Sequence, residues 1–117
     1  MAANVRLICA SEDLADGQRG IRFEIEHRGQ PLPAFAVRFR GKAVAYLNRC
    51  AHVPAELDWN EGEFFDFSGL YLICATHGAL YDPATGACAG GRCDGRGLEA
   101  LVLEERDGQV YLKQEGA

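Results

Sequence analysis

The sequence predicts an all-β fold in a single domain of 117 residues. Short apolar or alternating runs recur along the chain and are separated by glycine-rich turns, which is the pattern of antiparallel strands. No run has a convincing helical period, apart from single turns near 12–16 or 55–59. The composition, 48% hydrophobic and 25% charged, is typical of a folded protein with one small core.

Eight strands are predicted, each from its own short run. In one of them Phe35, Val37 and Phe39 alternate with smaller or basic residues, so one face of that strand is expected to be buried. Turns at 40–42 and 107–108 contain glycine and join neighbouring strands into hairpins. The predicted strands cover residues 5–10, 21–26, 35–40, 44–48, 63–67, 70–74, 98–105 and 110–113.

Seventeen acidic and twelve basic residues give a formal net charge of −5. Nucleic acid is therefore not an expected partner, because binding to a phosphate backbone needs an excess of basic side chains. The apolar run at 7–10 is too short for an export signal, and no run approaches the roughly 18 to 20 apolar residues that span a bilayer. We expect a cytoplasmic protein with no membrane partner, and the sequence leaves its oligomeric state open.

Two short cysteine-histidine pairs carry the chemistry of the chain. Cys50 and His52 follow one predicted strand, and Cys74 and His77 follow another, so each pair is expected on a tight loop. Thiolate and imidazole ligands bind zinc as well as iron-sulfur clusters, so the residue types alone leave both open. The order of the ligands favours a cluster, because zinc sites commonly group cysteine with cysteine and histidine with histidine.

The residues around the second pair resemble a known family. The run Cys-Ala-Thr-His-Gly-Ala-Leu-Tyr-Asp at 74–82, followed by Thr85 and Gly86, is similar to the second cluster-binding loop of Rieske proteins. The C-x-H spacing of the first pair, with a later glycine at Gly62, is similar to their first loop. The resemblance covers about residues 44–86 and is to Rieske ferredoxins and related small Rieske-domain proteins.

The resemblance implies one two-iron, two-sulfur cluster held by four side chains. Cys50 and Cys74 would bind one iron and His52 and His77 the other, while Tyr81 would donate a hydrogen bond to a ligand thiolate. With two ferric ions, two sulfides, two thiolates and neutral imidazoles, the formal charges cancel. An added electron then meets less repulsion than it does at a four-thiolate cluster.

The resemblance also implies an architecture. A small cluster-binding subdomain of about residues 47–83 would be inserted into an antiparallel β base formed by about 1–46 and 84–117, with the cluster at its tip. The 21 residues between the two ligand pairs are more than is usual in Rieske ferredoxins. We expect the additional residues in an extended hairpin at about 58–67.

Three positions separate the chain from high-potential respiratory Rieske proteins. Ala55 and Thr76 stand where those proteins have a cysteine pair that forms a disulfide, and Ala79 stands where they have a serine that donates to a cluster sulfide. Fewer donors stabilise the more negative, reduced cluster less. We therefore expect a reduction potential in the lower or middle part of the Rieske range of roughly −150 to +300 mV.

The resemblance implies one-electron transfer, which needs no catalytic residue and no substrate of the chain's own. The leading hypothesis is a soluble carrier between a reductase and a terminal oxygenase or similar redox enzyme. One alternative is a small subunit or interaction module of a larger reductase, similar to the small subunit of nitrite reductase. A zinc-binding structural module is the other alternative.

Two further cysteines lie in a glycine-rich loop after the second ligand pair. We expect Cys88 and Cys93 to be free thiols there, with a disulfide or cluster ligation as the alternatives. Cys9 lies in an apolar run and is expected to be a buried core residue, and His27 is expected in a solvent-facing turn. Four aromatic residues near the predicted hairpin are expected in the core rather than on a docking face: Trp59, Phe64, Phe65 and Phe67.

Overall fold

A computed structural model describes residues 4–27, 29–49, 57, 62–66, 68–74, 78–90 and 97–114. In these ranges the regular structure is β-strand, apart from one 3-10 turn at Ser11–Asp13, and no helix is long and apolar enough to cross a membrane. The all-β prediction is confirmed. The strands are β1 (Asn4–Ala10), β2 (Ile21–His27), β3 (Gln30–Phe39), β4 (Lys42–Leu47), β5 (Leu72–Ile73), β6 (Leu80–Tyr81), β7 (Cys88–Gly90), β8 (Ala100–Arg106) and β9 (Gln109–Gln114).

Six of the strands form one antiparallel sheet, in the order β1-β9-β8-β4-β3-β2. Its two edge strands, β1 and β2, are joined by a side chain. The Arg6 guanidinium donates to the Glu24 carbonyl and lies 5.9 Å from the centre of the Phe23 ring. Since the edges approach each other in this way, the sheet curls into an open barrel, which we call the base sheet.

Two hairpins of the base sheet turn through residues with positive φ. Arg40 (51°) and Gly41 (82°) join β3 to β4, and Asp107 (52°) and Gly108 (73°) join β8 to β9. Positive φ at both central residues is the type I′ geometry, whose twist matches the right-handed twist of the flanking strands. Both predicted turns are confirmed.

The other three strands form a second antiparallel sheet in the order β5-β6-β7, which we call the small sheet. β5 is the central part of the predicted strand at 70–74. β6 and β7 were not predicted, because runs of two or three residues carry no detectable period. The predicted strand at 63–67 is wrong for the described residues, since Phe65 makes a single bridge to Leu72 rather than part of a ladder.

β3 and β4 are buried on both faces and so belong to two cores. On one face Phe35 and Tyr46 pack toward the small sheet, and the Phe35 ring stacks on Phe64 with centroids 4.0 Å apart. On the other face Ala36 and Ala45 line the inside of the base sheet. The first, shared core contains Phe35, Val37, Tyr46, Leu57, Phe64, Leu72, Cys74, Ala79, Tyr81 and Leu98. The second, barrel core contains Leu14, Ala36, Ala43, Ala45 and Val110.

Arg38 fastens the connection between β1 and β2 to the base sheet. Its Nε donates to the Leu14 carbonyl at 2.6 Å and its Nη2 to the Ser11 carbonyl at 3.2 Å. Nη1 and Nη2 also donate to the Glu105 carboxylate at 3.0 and 2.6 Å. The Arg38 side chain is 13% exposed, and its hydrogen bonds hold the pKa of Glu105 below the ordinary value.

Arg38→Met should lower the free energy of unfolding by about 2–3 kcal/mol, because it removes the guanidinium that donates to three carbonyls, those of Leu14, Ser11 and Gly41, and to the Glu105 carboxylate. Denaturant unfolding at neutral pH measures the loss. Arg106→Met is the matched control, because the Arg106 side chain is 53% exposed and pairs with Glu104 at 3.0 Å; it should cost less than about 1 kcal/mol. Equal losses in the two variants would contradict the role given to Arg38.

Candidate metal centre

Of the four predicted ligands, the structure describes Cys74. Cys50, His52 and His77 lie outside the described residues. Within the described ranges, no group of three or more potential metal-binding side chains comes together. The site is therefore defined by its frame, which consists of the strand ends that lead into the two predicted ligand loops.

Cys74 directly follows β5 and is held by backbone hydrogen bonds on both sides. Its N–H donates to the Ala79 carbonyl at 2.9 Å, and its carbonyl accepts from the Gly78 N–H at 2.8 Å. Gly78 has a φ of 72°, which glycine adopts without strain, so the chain can turn back at this point. The backbone thus fixes both ends of the second ligand loop.

Tyr81 and Ala79 lie on the same face of the small sheet as Cys74. The register pairs Leu72 with Tyr81 and Ile73 with Leu80, so the next position along places Cys74 opposite Ala79. Tyr81 is then the diagonal neighbour of Cys74, at a separation that a long side chain can bridge. All three residues are fully buried, and this position agrees with the predicted donor role of Tyr81, which stays a prediction.

Asn48 closes the first ligand loop at its base. Its N–H donates to the Pro33 carbonyl at 2.8 Å, and its side-chain Oδ1 accepts from the Leu57 N–H at 2.9 Å. Pro33 has no N–H to return to Asn48, so the ladder between β3 and β4 ends at the pair Ala34–Leu47 and the chain leaves the sheet here. Asn48 is fully buried.

Asn48 lies at the end of the predicted strand 44–48, and the sequence alone predicts no role for it in the site. The available signal was a polar residue at the end of a predicted strand, two positions before the first ligand. That signal is weak, because Asn48 becomes informative only when its partner Leu57 is known, nine residues further along the chain.

The segment after β6 is fixed by Asp82 and Tyr46. The Asp82 carbonyl accepts from the Gly86 N–H at 2.6 Å, and its Oδ1 accepts from the Ala84 N–H at 2.8 Å. The Tyr46 hydroxyl donates to the Pro83 carbonyl at 2.7 Å. Burial, with the nearby Asp82 charge, raises the pKa of Tyr46 to about 12, so it remains a donor at neutral pH. A Cβ at Gly86 would lie 2.7 Å from the Tyr46 ring, which explains the glycine of the Thr-Gly pair.

The aromatic residues flanked by the ligand pairs belong to the core where they are described. Phe64 is fully buried and Phe65 packs against the shared core, as expected. Trp59 and Phe67 lie outside the described residues. The expected hairpin at 58–67 also lies largely outside them.

Cys9 and His27 differ from their predicted surroundings. Cys9 is half-buried at the margin of the barrel core rather than inside it, and it is a free thiol. Its burial raises the pKa of the thiol. His27 is the last residue of β2 rather than part of a turn.

Cys88 of β7 takes part in a disulfide. The expectation of a free thiol at this position is therefore wrong. Whether a cysteine forms a disulfide depends on which residues lie next to it in space. The sequence does not show those neighbours, so a disulfide stood only as an alternative to the free thiol. Cys93 lies outside the described residues.

The frame fits a metal bound through a thiolate. Cys74 is fully buried and is not part of a disulfide. Three neighbours on the same face are fully buried: Leu72 and Ala79, which are apolar, and Tyr81, whose hydroxyl is the one polar side-chain group among them. A thiolate among apolar side chains is costly unless a positive centre compensates its charge. The position of Cys74 therefore suits a metal ligand and does not suit an unaccompanied thiolate.

The family model described as Rieske [2Fe-2S] domain matches residues 4–112 of the chain. A comparison with curated proteins found no match.

Solved structures with the same fold include ferredoxins. The ferredoxin of carbazole 1,9a-dioxygenase from Nocardioides aromaticivorans IC177 has a TM-score of 0.73 at 19% identity, covering 97% of this chain and 100% of that one. The Sphingomonas yanoikuyae B1 ferredoxin has a TM-score of 0.71 at 21% identity, and the match covers 96% of this chain and 100% of that ferredoxin. A chain from the complex of reduced oxygenase and oxidized ferredoxin in carbazole 1,9a-dioxygenase has a TM-score of 0.72 at 22% identity. The match covers 96% of this chain and 94% of that chain. These likenesses establish the fold.

Asn48→Leu should lower the free energy of unfolding by about 1–3 kcal/mol and reduce the metal content of the purified protein, because the buried Leu57 N–H loses its acceptor. Denaturant unfolding and metal analysis measure the two effects. Arg49→Gln is the control: its side chain is 49% exposed and lies 3.7 Å from Glu99, so its loss should change stability by less than about 1 kcal/mol. A fully metallated, wild-type-like Asn48→Leu protein would disprove the closure of the loop by Asn48.

Proposed function

The chain belongs to the Rieske [2Fe-2S] domain family, and we propose that it is a soluble, cytoplasmic one-electron carrier that feeds a terminal oxygenase or a similar redox enzyme. The observation that carries the proposal is the intact set of two cysteines and two histidines in a chain of this family. The match of the fold over nearly the whole length of two ferredoxins supports a carrier.

The cofactor of a Rieske [2Fe-2S] domain is a single cluster, which supplies one-electron oxidation and reduction. Cys50 and Cys74 would hold one iron, His52 and His77 would hold the other, and Tyr81 would donate to a ligand thiolate. The burial of Cys74 and its place at the end of β5 support this assignment.

The proposed division of the chain follows the family. Residues of about 47–83 would form the cluster-binding subdomain, and about 1–46 and 84–117 would form the β base. The closure of the first ligand loop by Asn48 supports the beginning of this subdomain.

The proposed partners are a reductase that supplies electrons and a terminal enzyme that accepts them. Support comes from a structural neighbour that is a complex between an oxygenase and a ferredoxin. The net charge of −5 would attract a basic surface on either partner. That attraction should weaken as salt screens it, with a Debye length of about 10 Å at 0.1 M.

The purified protein should be red-brown, contain iron and sulfide in equal amounts, and bleach when dithionite reduces it. Its potential should lie in the lower or middle part of the Rieske range.

His77→Cys should retain cluster but lower the potential by on the order of 100 mV, because a thiolate adds negative charge to the oxidised site. A redox titration followed by absorbance measures the shift.

His27→Cys is the control for this substitution, because His27 belongs to β2 and to neither ligand pair. The potential of the His27→Cys protein should match that of the wild type. If His77→Cys left the potential unchanged, His77 would not be a ligand. A colourless protein that contains zinc would replace the redox function by a structural one.

The carrier function predicts exchange of single electrons with separate proteins. The chain should elute alone at or near its own mass, accept one electron from a ferredoxin reductase, and be reoxidised by a terminal oxygenase, more slowly as salt rises. Stopped-flow absorbance with defined reductase and oxygenase preparations measures both steps. Stable co-purification with a large reductase would instead support the role of a subunit.

A further inference from the structure

A cleft of about 510 Å³ lies between residues 17–19, in the connection from β1 to β2, and residues 63–66, which precede β5. The Gly20 N–H donates to the Gly62 carbonyl at 2.8 Å, and this bond joins the two walls at one end. Ile73 of β5 also lines the cleft, and the residue that follows it in the chain is a proposed cluster ligand. The cleft therefore adjoins the proposed cluster site.

One wall of the cleft contains an unpaired strand edge. Phe65 forms a single antiparallel bridge with Leu72. The carbonyl of the residue before Phe65 accepts from the Ile73 N–H, and the N–H of the residue after it donates to the Tyr71 carbonyl, both at 2.9 Å. In such a pair the N–H and C=O of the central residue point away from the partner strand. Among the described residues no group bonds to the Phe65 N–H or C=O, so both are available to an added strand.

Charged side chains without an ion pair flank this edge. Glu63 and Arg19 line the cleft and are exposed, and neither forms an ion pair within the described ranges. Asp66, which accepts from the Ser68 hydroxyl at 2.7 Å, adds a second carboxylate. Two carboxylates and one guanidinium give the lining a net negative charge, which complements a basic segment.

Exposed apolar side chains continue the surface beyond Asp66. Leu70 is 47% exposed and Tyr71 is 38% exposed. The Asp66 N–H donates to the Tyr71 carbonyl, so both side chains belong to the turn that follows the cleft wall. Exposed apolar side chains rimmed by charged ones mark sites of interaction with proteins.

We propose that this cleft binds an extended, basic segment of the terminal oxygenase as a β-strand added to the edge at Phe65. The proposal rests on the proposed function, which supplies the oxygenase as the partner. Strand addition is favoured over a compact ligand because the polar groups of the cleft lie along an extended backbone edge. In this mode of recognition, main-chain hydrogen bonds give affinity and side-chain contacts give specificity.

The added strand would exchange hydrogen bonds with the N–H and C=O of Phe65. A basic side chain of the segment would lie at Glu63, and its apolar side chains would cover Leu70 and Tyr71. An oxygenase held in this way would lie beside β5, the strand that leads into the proposed ligand Cys74.

Hydrogen exchange tests the added strand. The oxidised holoprotein is mixed with the terminal oxygenase preparation of the stopped-flow measurement, and amide exchange is followed by mass spectrometry of peptic peptides. Peptides that contain Phe65 should exchange several-fold more slowly in the complex. Peptides of the hairpin of β8 and β9, which does not line the 510 Å³ cleft, should be unchanged.

The other outcomes of the exchange experiment separate the two proposals. If electrons pass to the oxygenase while exchange at Phe65 is unchanged, the cleft is not the docking site and the carrier function stands. If the holoprotein neither binds nor reduces the oxygenase, the carrier function and the docking site both fail.

Charge reversal at Glu63 tests the side-chain contact. Glu63→Lys should raise the Kd for the oxygenase at least about tenfold, because it sets a cation against a basic segment. Glu12→Lys is the matched control, since Glu12 is exposed in the 3-10 turn next to the turn between β8 and β9. Both substitutions change the net charge from −5 to −3, so general attraction falls equally in the two proteins.

The Kd of the Glu12→Lys protein should rise less than about threefold, because a distant exposed charge is screened by salt. Calorimetric titration of the holoprotein measures both constants, and the absorbance and potential of the cluster should match the wild type in both variants. Equal increases in Kd would show that only the overall charge matters and would overturn the docking site.

Discussion

β3 and β4 are buried on both faces, and the other parts of the structure pack on these two strands. Large side chains such as Phe35 and Tyr46 face the small sheet, whereas alanines such as Ala36 and Ala45 face the narrow interior of the base sheet. Strands of two or three residues cannot form a stable sheet alone. The small sheet, and with it the second ligand loop, therefore depends on burial against one face of β3 and β4.

Both ligand loops start from positions that the backbone fixes. Asn48 holds the first loop where the ladder of β3 and β4 ends, and the bonds of Cys74 to Ala79 and Gly78 hold the second. Tyr46 extends from β4 to the Pro83 carbonyl and so connects the two regions. A frame fixed in this way limits rearrangement around a metal site. Limited rearrangement suits one-electron transfer, in which no bond of a substrate is made or broken.

Sequence patterns predicted the features that depend on neighbouring residues. The all-β class, the longer strands, the turns at 40–42 and 107–108 and the motif at Cys74 all follow from local period or spacing. Asn48 and Cys88 could not be judged in this way, because each is defined by a distant partner or a neighbouring strand. The early start of β3 at Gln30 likewise depends on pairing with β2 along its whole length.

The surroundings of Cys74 act on a bound cluster in opposing directions. Reduction adds a negative charge, and the buried apolar side chains of Leu72 and Ala79 cannot solvate it. The net charge of −5 also disfavours the added electron and so lowers the potential, although more weakly because water and salt screen it. A hydrogen bond donated by Tyr81 would stabilise the added charge and so raise the potential. Ala79 supplies no side-chain donor, so Tyr81 would be the single side-chain donor among Leu72, Ala79 and Tyr81. With fewer donors to stabilise the reduced cluster, we expect a potential below that of sites with more donors.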